Sequence, residues 1–304
     1  MAAVWPSRDL PPDARRERAV AAVCAAVANV ATFPAVALEI GRVVDDAAAG
    51  VAGLRSIVGR DQALSTRVLK VANSALFRGR GAVDTLDTAI LRLGFRAVQN
   101  IAIAASLTTL FRAGPLAPGV SAEDLWTHAL AVATASSLLA ARSRLAPEGD
   151  VFLAGLVHDI GMAAELQVDR EGLAQVIVQA RSVPDVDFRQ IEVAAFGADH
   201  QAFGAALLAR WGLPPALVQA AGAHHDPWAG DPALSGLAWF VHVADWIVVR
   251  HGGKPGLDLS GDADLDDAAV EAIGLTRAVI DDVVQAFAPA ASEVEAAMQP
   301  SRTT

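Results

Sequence analysis

Apolar residues recur along most of the chain at the spacing of an amphipathic helix. The clearest case is residues 61–77, where Leu64, Val68, Val71 and Ala75 are spaced by four, three and four positions behind a candidate N-cap, Asp61. Sustained alternation of apolar and polar residues is nearly absent, and the sequence contains no Asn-Gly pair of the kind that closes a hairpin. We therefore expect an all-α fold.

Glycines and prolines divide this pattern into two halves. Gly114-Pro115 and Pro118-Gly119 make the strongest linker in the sequence. We expect an N-terminal helical subdomain packed on a second helical bundle. The boundaries that the pattern indicates are a flexible arm at 1–13, a first half at 14–113, a second half at 120–251, and an acidic, partly helical extension at 252–304.

Within these segments the same periodicity indicates individual helices. They are predicted at residues 14–30, 34–44, 61–77, 84–93, 95–111, 121–145, 151–166, 171–180, 188–195, 199–211, 215–223, 234–249 and 266–287. We expect a short linker after residue 44 and a frayed end after residue 287.

Composition narrows the classes of function. Hydrophobic residues make up 53% of the 304 residues and Tyr is absent, so the core must consist largely of Ala, Val and Leu, which favours close-packed helices. The formal net charge of −10 argues against a broad nucleic-acid footprint, because binding phosphates needs a basic face.

The single cysteine, Cys24, excludes an intramolecular disulfide and a thiolate zinc site, and it suits a reducing cytoplasm. The stretch 19–38 is largely apolar and follows three arginines, but Asn29, Thr32 and Pro34 interrupt it. We expect a buried helix there and no membrane span, in a cytoplasmic protein.

The histidines are distributed unevenly, since all seven lie from His128 onward. Imidazoles and carboxylates carried on several crossing helices are the usual ligands of metal sites in helical bundles, and this set suits Fe, Mn, Ni or Zn. His242 and His251 are expected to be structural. The predicted ligands are His128, His158, Asp159, His200, His224, His225 and Asp245.

Two carboxylates in this set lie in apolar runs and need partners. Asp159 falls within VFLAGLVHDIGM and Asp245 within WFVHVADWIVV, where an unpaired charge would cost several kcal/mol. Neighbouring residues on a helix point about 100° apart, so His158 and Asp159 are expected to flank a site where helices cross, with Asp159 bridging two ions.

Several segments together resemble the HDOD family. In the first half they are FPAVALEI, GRDQALSTRVLKVANSALF and DTAILRLGFRAVQNIAI; in the second half they are LWTHALAVA, VFLAGLVHDIGM, DHQAFGAALLARWGLPPALVQAAGAHHDP and VHVADWI. The second half is also similar to HD-domain phosphohydrolases and HD-GYP phosphodiesterases. The resemblance implies an HD-like helical bundle and places the seven predicted ligands on that family's metal-binding positions.

Two departures from the HD-GYP pattern argue against catalysis. Met162 stands where those enzymes carry a lysine that binds the scissile phosphate, and DPWAGD follows His225 in place of a GYP element. Without that cation the developing phosphate charge loses its stabilisation. The resemblance therefore implies a regulatory module that acts through signalling proteins, with a metal or a nucleotide as a candidate ligand of a relict site.

Two alternatives stay open. The first is an active metal-dependent phosphohydrolase acting on a nucleotide or a cyclic dinucleotide, which would need Lys or Arg in the pocket. Arg142, Arg144 and Arg170 are the nearest candidates in sequence, and none lies on an obviously inward face. The second is a purely structural scaffold, which would be favoured if the histidines faced apart.

The first half is locally basic and could bind an acidic partner. Its basic residues are Arg67, Lys70, Arg78, Arg80, Arg92 and Arg96. We predict Arg67, Lys70 and Asn73 as partner-binding residues, all on the outward side of the 61–77 helix. Because Asn is a poor residue for a helix interior, Asn73 is first expected to make a buried or interhelical hydrogen bond that fixes how the two halves dock.

Overall fold

The protein was analysed as a computed structural model. The structure describes residues 5–28, 35–45, 50–74, 76–77, 81–111, 114–143, 145, 148–183, 186–252 and 264–299. Four residues named in the sequence analysis lie outside these ranges: Ala75, Arg78, Arg80 and Arg144.

The all-α prediction is confirmed. The helices up to the linker are α1 (Pro12–Ala28), α2 (Ala35–Asp45), α3 (Gly50–Val58), α4 (Gln62–Ala72), α5 (Leu86–Leu93) and α6 (Phe95–Leu107), followed by a 3-10 turn at Thr108–Phe111. Helix α3 occupies part of the segment that was expected to be a linker.

A longer series of helices follows the linker. They are α7 (Ala122–Ser143), α8 (Glu148–Val157), α9 (Ile160–Val168), α10 (Arg170–Ser182), α11 (Phe188–Phe196), α12 (His200–Arg210), α13 (Pro215–Ala223), a 3-10 turn (Pro227–Ala229), α14 (Gly236–His251), α15 (Asp267–Ala272) and α16 (Arg277–Met298). The expected linker is itself ordered as an antiparallel hairpin of β1 (Pro115–Ala117) and β2 (Val120–Ser121).

The contacts among helices define two packed groups. Helices α2 to α6 pack on one another, and α7, α8, α12, α13 and α14 form the bundle of the second half. The two groups meet where α6 packs on α8. Several helices begin at a capping side chain: the Asp61 side chain, as predicted, accepts hydrogen bonds from the backbone N–H groups of Ala63 and Leu64 at 2.8 and 3.0 Å.

The N-terminal segment differs from the expected arm and first half. Helix α1 packs on α9 and α12 of the second half. Ahead of it, the Trp5 indole N–H donates to Asp169 at 2.7 Å and its ring lies 4.4 Å from that of Phe196. Helical periodicity reveals that α1 has an apolar face but not which surface covers it, so the sequence could not assign this helix to the second half.

The C-terminal extension is more regular than expected. Helix α16 continues through Pro289 to Met298 and packs on both α7 and α4. A proline inside a helix costs about 3 kcal/mol, so the prediction ended the helix before it. Beyond that proline, Val294, Ala297 and Met298 are buried against the rest of the chain, and this burial favours continuing the helix.

Among the described residues, the stretch Val151–Val168 has the length and apolar composition of a membrane span, and 83% of it is buried inside the fold. Of the stretch 19–38 that the sequence analysis considered, residues 29–34 lie outside the described residues. Ala19, Val23 and Val27 within it are buried on α1.

Candidate metal centre

Six helices of the second half bring the predicted ligands together. His128 lies on α7, His158 and Asp159 lie between α8 and α9, and His200 is the first residue of α12. His224 and His225 directly follow α13, and Asp245 lies on α14. The side chains converge at the point where these elements cross, so the histidines do not face apart.

The helix predicted at residues 151–166 is broken at the histidine–aspartate pair. Helix α8 ends at Val157 and α9 starts at Ile160, with Asp159 at the N-cap position (φ −99°, ψ 22°). This break is a correction to the sequence analysis, which treated the pair as neighbours on one helix. Because the backbone turns here, both side chains face the same site, and their Nε2 and Oδ2 atoms lie 3.1 Å apart.

One group of ligand atoms, here called the first position, comprises His128, His158 and Asp245 together with one oxygen of Asp159. His128 Nε2 lies 3.1 Å from Asp245 Oδ1 and 3.8 Å from Asp159 Oδ2. The neighbouring His158 Nε2 contacts the same Asp159 oxygen.

The other group, here called the second position, comprises Asp159, His200, His224 and His225. Asp159 Oδ1 lies 3.4 Å from His200 Nε2 and 3.3 Å from His224 Nε2. His225 Nε2 lies 3.2 Å from His200 Nε2. The two oxygens of Asp159 therefore face different groups of imidazoles, which is the arrangement of a carboxylate that bridges two ions.

Hydrogen bonds on the far side of three imidazoles fix which nitrogen faces the site. Nδ1 of His158 lies 2.8 Å from the Gly155 carbonyl, Nδ1 of His224 lies 3.1 Å from the Ala221 carbonyl, and Nδ1 of His200 lies 2.8 Å from Glu192 Oε2. Since each of these partners is an acceptor, Nδ1 carries the proton and Nε2 is left free to bind a metal ion.

The side chains of the site shift one another's pKa values. Burial favours a raised pKa for Asp159, but the imidazoles of His158, His224 and His200 outweigh it and hold that pKa well below its usual value. The pKa of Asp245 is likewise lowered, because contact with His128 overcomes its burial. Burial and neighbouring imidazoles lower the pKa of His225, so this imidazole stays neutral as a ligand must.

The residues present fit a pair of divalent ions. Asp159 Oδ1, Asp245 Oδ1 and His224 Nε2 are buried atoms without a hydrogen-bond partner among the described residues. Atoms that share one tetrahedral ion at bonds of about 2.1 Å lie about 3.4 Å apart, and the contacts above span 3.1–3.8 Å. Imidazole nitrogen with carboxylate oxygen suits Fe, Mn, Ni or Zn.

The remaining histidines support the fold. His242 Nδ1 lies 2.7 Å from the carbonyl oxygen of His224, so this imidazole supports the end of α13. His251 packs edge-on against Trp246. Among the cations considered for a catalytic pocket, Arg142 and Arg170 donate to the backbone carbonyls of Leu138 and Pro115 at the surface.

A group of buried and partly buried polar residues near the second position was not predicted from the sequence. Glu165 and Glu192 lie behind it with fully buried side chains. Arg189 bonds to both Asp187 and Gln201, the residue after His200. A signal for the two glutamates was present: each is a single acidic residue in an apolar stretch, the same feature that drew attention to Asp159 and Asp245.

The predicted partner-binding residues on α4 lie apart from the metal centre. Lys70 is exposed, and Arg67 donates to the Met298 carbonyl of α16 at 3.3 Å. Asn73 donates to the carbonyls of Leu69 and Val83 and accepts from the Val83 N–H, so it ties the end of α4 to the next loop. The expectation that Asn73 docks one half on the other is wrong, and its bonds explain why α4 stops at Ala72 rather than at residue 77.

The sequence of residues 30–227 matches the HDOD domain. The chain belongs to the HDOD family. An uncharacterized protein of Treponema pallidum (strain Nichols) is 26% identical over 213 residues, which cover 68% of this chain and 39% of that relative. The chain thus spans well under half the length of that relative.

Solved structures share this fold. An HDOD domain protein of unknown function from Geobacter sulfurreducens matches with a TM-score of 0.72 at 23% identity, covering 93% of this chain and 97% of that one. A candidate signal transduction protein of Marinobacter aquaeolei VT8 matches with a TM-score of 0.74 at 21% identity, and the match covers 96% of this chain and 67% of that one. A candidate phosphohydrolase of Shewanella amazonensis SB2B matches with a TM-score of 0.70 at 23% identity, and the match covers 91% of this chain and 98% of that one.

Proposed function

We propose that this HDOD protein is a cytoplasmic regulator that acts through signalling protein partners and keeps a two-ion metal centre in its second half. The centre would be held by His128, His158 and Asp245 at the first position, by His200, His224 and His225 at the second, and by Asp159 between them. A bound ion pair would cross-link six helices, and it would offer open coordination positions to an oxygen-rich ligand such as a nucleotide.

The observation that carries the regulatory function is the absence of a positive charge at the lysine position of the related hydrolases. Met162 occupies it, on the first turn of α9 beside Asp159, and its side chain is only 3% exposed. A thioether contributes no charge to a phosphoryl group in the transition state, where such preorganised charge is usually the largest contribution to catalysis.

Arg189, which bonds to the residue after His200, does not replace that lysine. The Arg189 guanidinium donates to the Asp187 carboxylate at 2.7 Å and to Gln201 Oε1 at 3.1 Å. An incoming phosphate would have to compete with a carboxylate already paired to this group. The electrostatics favour a site that binds over one that turns over its ligand.

The second candidate function is a metal-dependent phosphohydrolase. It is favoured by the complete set of candidate ligands, since a protein that binds no metal would not need seven converging donor groups. Two of the similar solved structures are also described as candidate phosphohydrolases, one of them metal-dependent.

Metal analysis and a hydrolysis assay separate the two functions. We expect the purified chain to bind Mn²⁺ or Fe²⁺ but to release no product from cyclic-di-GMP or simpler phosphodiesters in their presence. The matched control is the double variant His158→Ala, Asp159→Ala. Turnover by the natural chain that is lost in this variant would establish the hydrolase and overturn the regulatory proposal.

A further inference from the structure

An exposed tryptophan follows the last histidine pair of the metal centre. Trp228 is 67% exposed, although tryptophan side chains are largely buried on average. Within residues 194–252, all of which the structure describes, no other large apolar side chain is exposed. Single exposed apolar residues are common on protein surfaces, so the significance of Trp228 depends on where its ring lies and how it is held.

The Trp228 ring rests on a fixed support. It contacts the ring of Trp239 edge-on, with 4.6 Å between the ring centroids, and Trp239 is itself buried on α14. The 3-10 turn that carries Trp228, Pro227–Ala229, leads to Asp231, whose backbone N–H and carbonyl bond to the Gln219 side chain of α13 at 3.0 and 2.8 Å. A ring that is already held in place loses little freedom when a ligand stacks on it, so this turn is preorganised for binding.

This turn lies close to the second metal position. Trp228 comes three residues after His225, so the Cα atoms of the two residues are at most about 11 Å apart. A chain of contacts also connects the ring to the site. The Trp239 ring lies 6.2 Å from the ring of His242, and His242 Nδ1 lies 2.7 Å from the His224 carbonyl oxygen. One small molecule could therefore contact both the Trp228 ring and an ion at this position.

The second position opens toward the same part of the chain. Its ligands His200 and His224 are buried, whereas Asp159 and His225 are partly exposed. A ligand therefore reaches an ion there from the side of Asp159 and His225. The chain continues from His225 directly into the turn that carries Trp228, so the indole lies beside the entrance.

Two different chemistries at this separation define the class of ligand. Divalent ions held by imidazoles and carboxylates bind the oxygen atoms of phosphate groups. The face of an indole binds a flat aromatic ring, as nucleic-acid bases stack on aromatic side chains. A nucleotide joins a phosphate group to a flat base through one sugar. A long nucleic acid is disfavoured by the net charge of −10, so a free nucleotide fits best.

We propose that Trp228 stacks on the base of a nucleotide whose phosphate group is bound at the metal centre. This role rests on the metal centre of the proposed function, and it adds the residue that recognises the base. A contact between Trp228 and a protein partner is less favoured, because apolar interaction surfaces are usually contiguous patches and Trp228 has no exposed apolar neighbour in residues 194–252.

Isothermal titration calorimetry of the full-length, Mn²⁺-loaded protein tests this role with guanosine monophosphate and with ribose 5-phosphate, which lacks the base. The natural chain should bind the nucleotide about 5- to 100-fold more tightly, since this is the contribution of one stacked base. Trp228→Ala should lose this preference and keep the natural affinity for ribose 5-phosphate, and Trp228→Phe should recover part of the preference. The matched control is Leu91→Ala, which removes an exposed apolar side chain of α5 and should bind both compounds like the natural chain.

Four results would overturn the stacking role. They are equal affinity of the natural chain for the two compounds, an unchanged preference in Trp228→Ala, nucleotide binding that survives removal of Mn²⁺, and loss of a co-purifying protein from Trp228→Ala while its nucleotide binding stays intact. Direct Mn²⁺ titration distinguishes these results from a failure of the proposed function. A chain that binds Mn²⁺ without preferring the nucleotide contradicts the stacking alone, whereas a chain that binds no Mn²⁺ contradicts the metal centre as well.

Discussion

Gly161 lies directly against the backbone of His200: a Cβ atom at Gly161 would overlap the His200 carbonyl oxygen. Helices α9 and α12 therefore cross backbone to backbone at their first turns. Gly204, one turn further along α12, faces the same crossing. The crossing places Asp159, two residues before Gly161, within reach of the His200 imidazole, so a glycine with no role as a ligand fixes the distance between two ligands.

We expect Gly161→Ala to separate α9 from α12 and to weaken metal binding at the second position. Forcing an extra methyl group into a packed crossing costs about 1–3 kcal/mol, so the melting temperature should also fall. The control is Gly236→Ala on α14, where a Cβ would meet nothing within 4 Å. A Gly161→Ala protein with natural stability and natural Mn²⁺ affinity would contradict this account of the crossing.

The bridging arrangement of Asp159 predicts a difference between two ligand substitutions. Asp159→Ala should remove both ions, because its two oxygens serve both positions, whereas His128→Ala should remove only the ion at the first position. Elemental analysis after equilibration with Mn²⁺ measures the stoichiometry, and circular dichroism checks that each variant is folded. If Asp159→Ala retained one tightly bound ion, Asp159 would not bridge.

The convergence of the candidate ligands could be predicted because residue type and order carry that information. Seven polar side chains in largely apolar helical segments need polar partners when they are buried, and the structure brings all seven together. The break between α8 and α9 could not be predicted in the same way. Apolar residues flank the His158–Asp159 pair on both sides, and the local pattern favours one continuous helix. The close backbone approaches at Gly155 and Gly161, on either side of the break, are visible only in the tertiary structure.

The positions of α1 and α16 were hidden for a related reason. A helix with one apolar face reveals that it will be covered, but the covering surface is set by long-range contacts. Trp5 reaches Asp169 across 164 positions, and Thr127 reaches Glu295 across 168. Contacts of this separation leave no local signature in sequence.

Metal removal should lower stability, because the proposed ions would cross-link six helices of the second half. Adding Mn²⁺ at a hundredfold excess over its dissociation constant should stabilise the fold by about 2.7 kcal/mol relative to the chelated protein. Differential scanning fluorimetry with and without a chelator measures the shift in melting temperature. The double variant His158→Ala, Asp159→Ala should show no shift; a shift of natural size in that variant would mean that Mn²⁺ stabilises the chain at another place.

Cys24 offers a direct reporter of how α1 docks. The residue is 7% exposed, and burial raises the pKa of its thiol, so it should react slowly with a thiol reagent in the native protein. Trp5→Ala removes the indole that bonds Asp169 and packs on Phe196, so α1 should open more often and the rate of thiol modification should rise several-fold. Trp228→Ala, which removes an exposed indole, is the control and should leave the rate unchanged. Equal rates in all three proteins would mean that Trp5 does not hold α1 in place.

Lys70, in the last turn of α4, and Asn73, directly after that helix, should separate effects on stability from effects on partner binding. Asn73 makes two hydrogen bonds with the backbone of Val83 and one with the Leu69 carbonyl of α4, and Asn73→Ala would leave these backbone groups without that partner. We expect a loss of about 1–3 kcal/mol of unfolding free energy, measured by urea denaturation. Lys70 is exposed and carries a charge that an acidic partner could bind, so Lys70→Ala should keep the natural stability and recover fewer protein partners when it is purified from cells. If Asn73→Ala unfolds at the same urea concentration as the natural chain and Lys70→Ala retains every partner, α4 neither stabilises the first half through Asn73 nor forms the partner surface.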